Sequence, residues 1–252
     1  MASEAIPAPG ASAAPMSEFS RLLGVFFEPK KTFGDIAERP RWLVPTLLSM
    51  AGALALIYLF STHVGWEPML RRAFENNARV QQLSPEQRQN AFNLQLRLVP
   101  VFAYVAGALG IPLTFLVGGG IILGIVRGLL GVPIRFAQVF SIMAYAWLPR
   151  VIFSALSIVV MFLKNPEDFD IQNSFASNPG AFMDPQTSSK FLYTLASAFD
   201  VFTIWVMLLV ATGLKAAGGK RISFGGALFA VLLPWLVYVL IRGGLAAAGF
   251  GG

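Results

Sequence analysis

The sequence predicts an all-α integral membrane protein, a five-transmembrane-helix bundle preceded by short amphipathic helices at the membrane surface. Three observations carry that prediction. Of 252 residues, 56% are hydrophobic and 13% charged, where a soluble domain carries about 25% charged residues. The apolar residues fall in long blocks rather than short alternating runs. The blocks reach the roughly 20 residues that a helix rising ~1.5 Å per residue needs to cross a ~30 Å hydrocarbon core.

Residues 1–15, MASEAIPAPGASAAP, are rich in Ala and Pro and hold nothing to bury, so disorder is expected there. Residues 16–41 are expected to form cytoplasmic interfacial helices. Phe19, Leu22, Leu23, Phe26 and Phe27 recur at helical spacing, which gives an amphipathic helix lying in the headgroup region and ending at Pro29. A second short helix from about Lys31 to Glu38 leads to Pro40 and to Trp42, an interfacial anchor.

The five-span domain is expected over residues 42–245, with spans at about 42–62, 98–126, 140–163, 191–214 and 222–241. The connector 63–97 is helical by pattern, with Leu70, Phe74, Phe92 and Leu96 on apolar stripes. Ser84-Pro85-Glu86-Gln87 within it reads as a capping box with proline at the first helical position. A helical hairpin whose second arm runs into the second span is therefore expected. The connector 164–190 is rich in Asn, Ser, Asp and Pro and should be irregular.

The third span contains AYAWLPRVIFSAL, where Arg150 follows Pro149 in an otherwise uncharged run. A span starting after Pro149 would be only about 20 Å long, too short to cross. The helix is thus expected to begin near Phe140 and continue through Pro149 with a kink, because proline removes one backbone hydrogen bond.

Charge density near the span ends sets the expected topology. The connectors after the second and fourth spans are short and basic, with Arg127 and Arg135 in one and Lys215, Lys220 and Arg221 in the other. The other two are longer, 35 and 27 residues, and dilute in basic charge. The positive-inside rule then places the N-terminus and the short loops in the cytoplasm and the C-terminus on the opposite side.

Composition also excludes function classes. The chain has no cysteine and one histidine, His63, so thiolate chemistry is impossible and a transition-metal site would rest almost wholly on carboxylates. No cofactor motif or catalytic constellation is present. GGKRIS at 218–223 lacks the first glycine and the preceding strand of a phosphate loop and reads as a basic turn. The net charge of +6 is dispersed around apolar blocks, which fits lipid headgroups and topology signals rather than nucleic acid.

Three groups of residues are candidates for function. Gly120, Gly124 and Gly128 form a small-residue groove for helix packing, within the chain or against a second copy or another membrane protein. Arg150 and Asp200 each interrupt an apolar block, and a buried charge costs about 2.5–3.5 kcal/mol on insertion scales, so the two are expected to pair. Ser154 and Ser157 share a helical face with Arg150, and Thr194, Ser197 and Thr203 share one with Asp200 on a continuous fourth helix. The pair either fixes helix register or forms a functional polar site; the alternative is an Arg150 that snorkels unpaired. Tyr104, Tyr145 and Trp147 read as packing or interfacial residues.

FFEPKKTFGDIAERPRWLVPTLL before the first span, FAQVFSIMAYAWLP opening the third and FDVFTIWVMLLVATGLKAAGGKRIS through the fourth resemble the Yip family, the Rab-GTPase-interacting membrane proteins and their prokaryotic relatives. The resemblance covers about Phe19 to Leu245. It implies five spans, a cytosolic N-terminus and, for a prokaryotic-type member, the bacterial cytoplasmic membrane. In eukaryotic members it implies vesicle traffic, membrane shaping and recruitment of small GTPases. This chain has a short N-terminal region and lacks the Asp-Leu-Tyr-Gly-Pro type motif, so Rab-type GTPase binding is not carried over.

Two readings follow. One is a non-enzymatic membrane protein that organises the membrane or binds lipids, itself or other membrane proteins through its spans. The other is a small transporter or permease with a polar path around Arg150 and Asp200. Polar groups packed dry against each other, with no opening to either side, would exclude the transporter, and a wet or lipid-filled crevice would weaken the first, scaffold reading.

Overall fold

The computed structural model describes residues 15–249 apart from 76, 172, 185 and 186. All of the expected disordered tail except Pro15 lies outside the described residues. Among those described there are helices and turns and no strand. In order they are α1 (Glu18–Phe27), α2 (Pro29–Glu38), α3 (Leu43–His63), α4 (Trp66–Glu75), α5 (Ala78–Gln81), α6 (Pro85–Val105), α7 (Ile111–Gly124), α8 (Phe136–Ala146), α9 (Pro149–Leu163), α10 (Lys190–Ala198), α11 (Val201–Gly218) and α12 (Phe224–Ala247).

Five stretches are long and apolar enough to cross a membrane: Leu43–His63, Pro85–Leu129, Phe136–Leu163, Val201–Arg221 and Phe224–Ala247. Half of the apolar window of the fourth is buried, against 22–28% for the others, which makes α11 the central helix. The outer faces of the surrounding helices stay apolar and exposed, as with Leu47, Leu116, Val117, Leu240 and Ile241. That is the surface a bilayer covers, since lipid tails impose no penalty on exposed leucine.

The second span is one helix of 45 residues, about 67 Å long and roughly twice the thickness of a bilayer's hydrocarbon core. It starts at the Ser84 cap, where the Ser84 hydroxyl accepts from the Gln87 N–H at 3.2 Å and Gln87 Oε1 accepts from the Ser84 N–H at 3.0 Å. Immediately before Pro112, which has no N–H to donate, the helix widens into a π-helical turn over Ala106–Gly110. Gly107 in that turn lets α3 approach, because a Cβ there would press on Ile57 and Leu54.

The third span begins at Phe136 rather than near Phe140. Its first turn is closed by Gln138 Oε1 accepting the Arg135 N–H at 2.7 Å. The chain leaves the α-helix at Trp147 and Leu148 before Pro149 and tightens there, with Arg150 N–H reaching the Trp147 carbonyl at 2.8 Å.

A correction concerns the fourth span. The single helix expected over 191–214 is two helices, α10 and α11, separated at Phe199 and Asp200. Asp200 is the N-cap of α11, a role suited to a short acceptor side chain, and its Oδ1 accepts the Phe202 N–H at 3.0 Å. The Val201 N–H, left open by the break, is taken by the Ser177 carbonyl at 3.0 Å. The 164–190 connector therefore folds down onto the break, and Phe175 packs against Phe153 and Phe202.

The core forms where α8 meets α11, around Val139, Ile142, Tyr145, Val210 and Leu214, with Phe33 and Ile36 of α2 closing one end. Here α1 and α2 do more than lie on a surface. Arg21 and Val25 of α1, and Phe33 and Ile36 of α2, are fully or almost fully buried against the bundle, while Phe19, Leu23 and Phe27 point outward. The apolar residues of α1 thus divide between protein and membrane surface, which the periodicity alone could not apportion.

Gly213 marks the closest approach in this core: a Cβ there would meet Ile142 and Phe33. Gly213→Ala gains up to about 1 kcal/mol of helix propensity but overpacks at a cost of about 1–3 kcal/mol. The expected net result is a lower melting temperature in detergent. Gly124→Ala, at a position with nothing within 4 Å, should raise or leave it; the same thermal unfolding measurement decides both.

Candidate lipid-facing crevice and its polar lock

Arg150 sits midway along the Phe136–Leu163 span. Asp200 follows Phe199, whose ring meets Trp235 halfway along α12 at 5.2 Å between centroids. The structure brings the two charges together: Arg150 Nη1 lies 2.9 Å from Asp200 Oδ2. Thr203 closes the ring, its Oγ1 accepting from Arg150 Nη2 at 2.8 Å and donating to Asp200 Oδ2 at 3.2 Å. The Arg150 guanidinium also stands over the Phe153 ring at 5.4 Å, a favourable cation–π placement.

The other residues of the expected polar stripe divide. Thr203 and Ser197 face the same space as the ion pair. Ser154 and Ser157 do not line it, which corrects the expectation of a common site. Ser154 lies beside Gly52 of α3 and donates back to the Arg150 carbonyl at 3.1 Å. Ser157 is fully buried, with no partner for its hydroxyl among the described residues. The split follows from the neighbour each face meets: Ser154 turns to α3, whereas Thr194 and Ser197 of α10 stay on one wall with Asp200 and Thr203 despite the helix break.

The glycine groove is not used for packing within the chain. Gly120, Gly124 and Gly128 are exposed, and a Cβ on any of them would meet nothing within 4 Å. Close approaches between spans fall at other glycines, Gly107 and Gly213 among them.

The ion pair opens onto a crevice of about 1320 Å³, beyond the roughly 300–1,000 Å³ of ordinary small-molecule sites. Its deep walls are apolar, formed by Ile122 of α7, Met143 of α8, Val206 and Val210 of α11, and Val231 and Trp235 of α12. Its other end is polar, with Arg72, Asn173, Asn178, Lys190, Tyr193 and Arg242. Leu113 and Val117 of α7 and Tyr238 of α12 line the crevice and are also exposed on the outer surface. The opening therefore faces sideways, toward the place of lipid. Of the aromatic residues noted in the sequence, Trp147 lines this crevice, whereas Tyr145 is wholly buried elsewhere and Tyr104 is not on its wall.

Tyr145 belongs to a second polar cluster that the sequence pattern did not single out. Its hydroxyl donates to Glu18 Oε2 of α1. Arg21, 1% exposed, holds Asp35 of α2 at 2.6 Å through both Nε and Nη2. Burial pulls the Arg21 guanidinium down, but the hydrogen bonds and charge of Asp35, with Tyr145, outweigh it and leave it above its ordinary value. The available signal was an arginine four residues before Val25, on the same face of α1. Among the described residues no group of His, Asp and Glu is placed to hold a metal ion.

A helical bundle with five apolar spans and outward-facing leucines is an integral membrane protein. The family model of the Yip1 domain matches residues 23–244, and the chain belongs to that family. No curated protein and no solved structure gives a significant match to it.

Proposed function

We propose that the protein acts without chemistry of its own, as a Yip-type organiser that binds membrane lipid through its spans. The single observation behind this reading is the crevice that opens sideways between α7 and α12, apolar in depth and polar at one end. A bundle that served only as a packing scaffold would have no use for a lateral opening of that size. In this reading the α1–α2 end is cytoplasmic, following the short basic connectors. Phe19, Leu23 and Phe27 then contact that leaflet.

The experiment is extraction of the full chain from native membranes followed by mass spectrometry for lipid. Lipid retained at about one per chain, and lost in Val117→Trp, whose ring would fill the opening, supports the reading. No retained lipid overturns it.

A transporter is kept as a second reading for one reason: the α10–α11 break beside Arg150 points a half-helix N-terminus into the crevice, an arrangement transporters use near mid-membrane. The chain has no cysteine, so single cysteines report cleanly. Val210→Cys, deep in the crevice, should react with a membrane-impermeant maleimide from both sides if the path crosses the membrane. Reaction from one side at most, with the residue labelled after denaturation, removes the transporter.

A further inference from the structure

We infer that the crevice selects a phospholipid with an anionic headgroup, held by Arg72 and Arg242 at its polar end with one acyl chain running down past the ion pair. The inference rests on the lipid-binding reading above. Its first support is charge. Among the described residues the titrating groups on the crevice wall other than tyrosine are Arg72, Arg150, Lys190 and Arg242 against Asp170 and Asp200, a surplus of two positive charges. Neither Arg72 nor Arg242 has an ion-pair partner among the described residues.

The second support is dimension. The lining of the crevice by the fourth span runs from Asp200 through Thr203 to Val206, Met207 and Val210, about 15 Å at 1.5 Å per residue, and is apolar from Val206 on. That apolar stretch lies beyond the ion pair, where an acyl chain running past the pair fills it and a soluble anion would leave it empty. The third is the state of Arg150. Asp200 and Thr203 occupy its two Nη atoms, yet 31% of its side chain stays accessible while Asp200 keeps 10%. The pair thus turns its cationic edge outward, where the ester and glycerol oxygens of a bound lipid would meet it.

The test is native mass spectrometry of the delipidated full chain in an uncharged detergent, titrated with phosphatidylglycerol and with phosphatidylcholine of identical chains. One phosphatidylglycerol should bind at least tenfold more tightly than phosphatidylcholine. Arg72→Gln and Arg242→Gln, both at accessible positions, should each weaken it by about fivefold, the effect of one basic residue near a headgroup, while Arg221→Gln at the far end should not. Equal binding of the two lipids overturns the headgroup inference and leaves lipid binding standing. Binding of neither overturns both. Loss in Arg221→Gln alone places the anion at the wrong end, and full competition by glycerol phosphate makes the occupant a soluble anion; either result also overturns the inference.

Discussion

Arg150→Gln and Asp200→Asn are each expected to lower the stability of the detergent-purified protein by about 2–3 kcal/mol, and the double variant to recover most of that loss. Removing one partner from a buried pair strands the other charge, at a cost of about 3–5 kcal/mol, whereas neutralising both often costs little. The lower figure applies because Arg150 remains partly accessible at the crevice. Asparagine is the right substitute at 200, since it keeps the cap on the Phe202 N–H and changes only the charge. A charge swap would leave α11 uncapped and confuse two effects. Thermal unfolding of the four proteins gives the coupling energy. Additive losses would mean that the pair contributes nothing as a pair.

Arg21→Met is expected to release α1 and α2 from the bundle. The side chain is almost inaccessible and holds Asp35 through two nitrogens, so its removal leaves a largely buried carboxylate without its main partner, at about 3–5 kcal/mol. Asp35 would retain the 3.4 Å contact to Arg39 and the Met16 N–H at 3.3 Å, both on Oδ1. Because the loss is local, backbone amides of α1 and α2 should exchange with solvent far faster while those of α11 keep most of their protection. Uniform loss of protection would mean that these helices are part of the main folding unit; unchanged exchange would mean that the buried cluster does not hold them. The lock is also expected to be insensitive to alkaline pH. Its guanidinium is raised above a value that is already high, so its contribution is present throughout the range in which the protein is handled.

Much of the architecture was legible because oil is an undiscriminating solvent. A span must be long, apolar and hydrogen-bonded within itself, and those conditions are written in composition. The Ser84–Gln87 cap was legible for a similar reason, since both of its hydrogen bonds join residues three apart. Asp200 shows where this ends. An aspartate inside an apolar block reads equally as a mid-helix charge and as the cap of a new helix, and only the Ser177 carbonyl, supplied from 24 residues away, makes the break affordable.

The two charges that interrupt apolar blocks were visible residue by residue, but their separation was not. Nor could sequence assign Ser154 to α3 rather than to the ion pair, because a shared helical face does not say which neighbour that face meets. The glycines tell the same story. Spacing found Gly120, Gly124 and Gly128, whereas contact falls at Gly107 and Gly213, where Ile57 and Ile142 arrive from distant segments.

By itself, then, the chain determined a membrane-spanning all-helical protein, because apolar run length and local hydrogen bonding depend on neighbours in sequence. Only the tertiary structure decided that Arg21 is a buried lock, that the fourth span is broken, and that α7 and α12 leave a crevice between them. Those features arise from how separate helices meet, and hydropathy along one strand of chain carries no information about the angle between two.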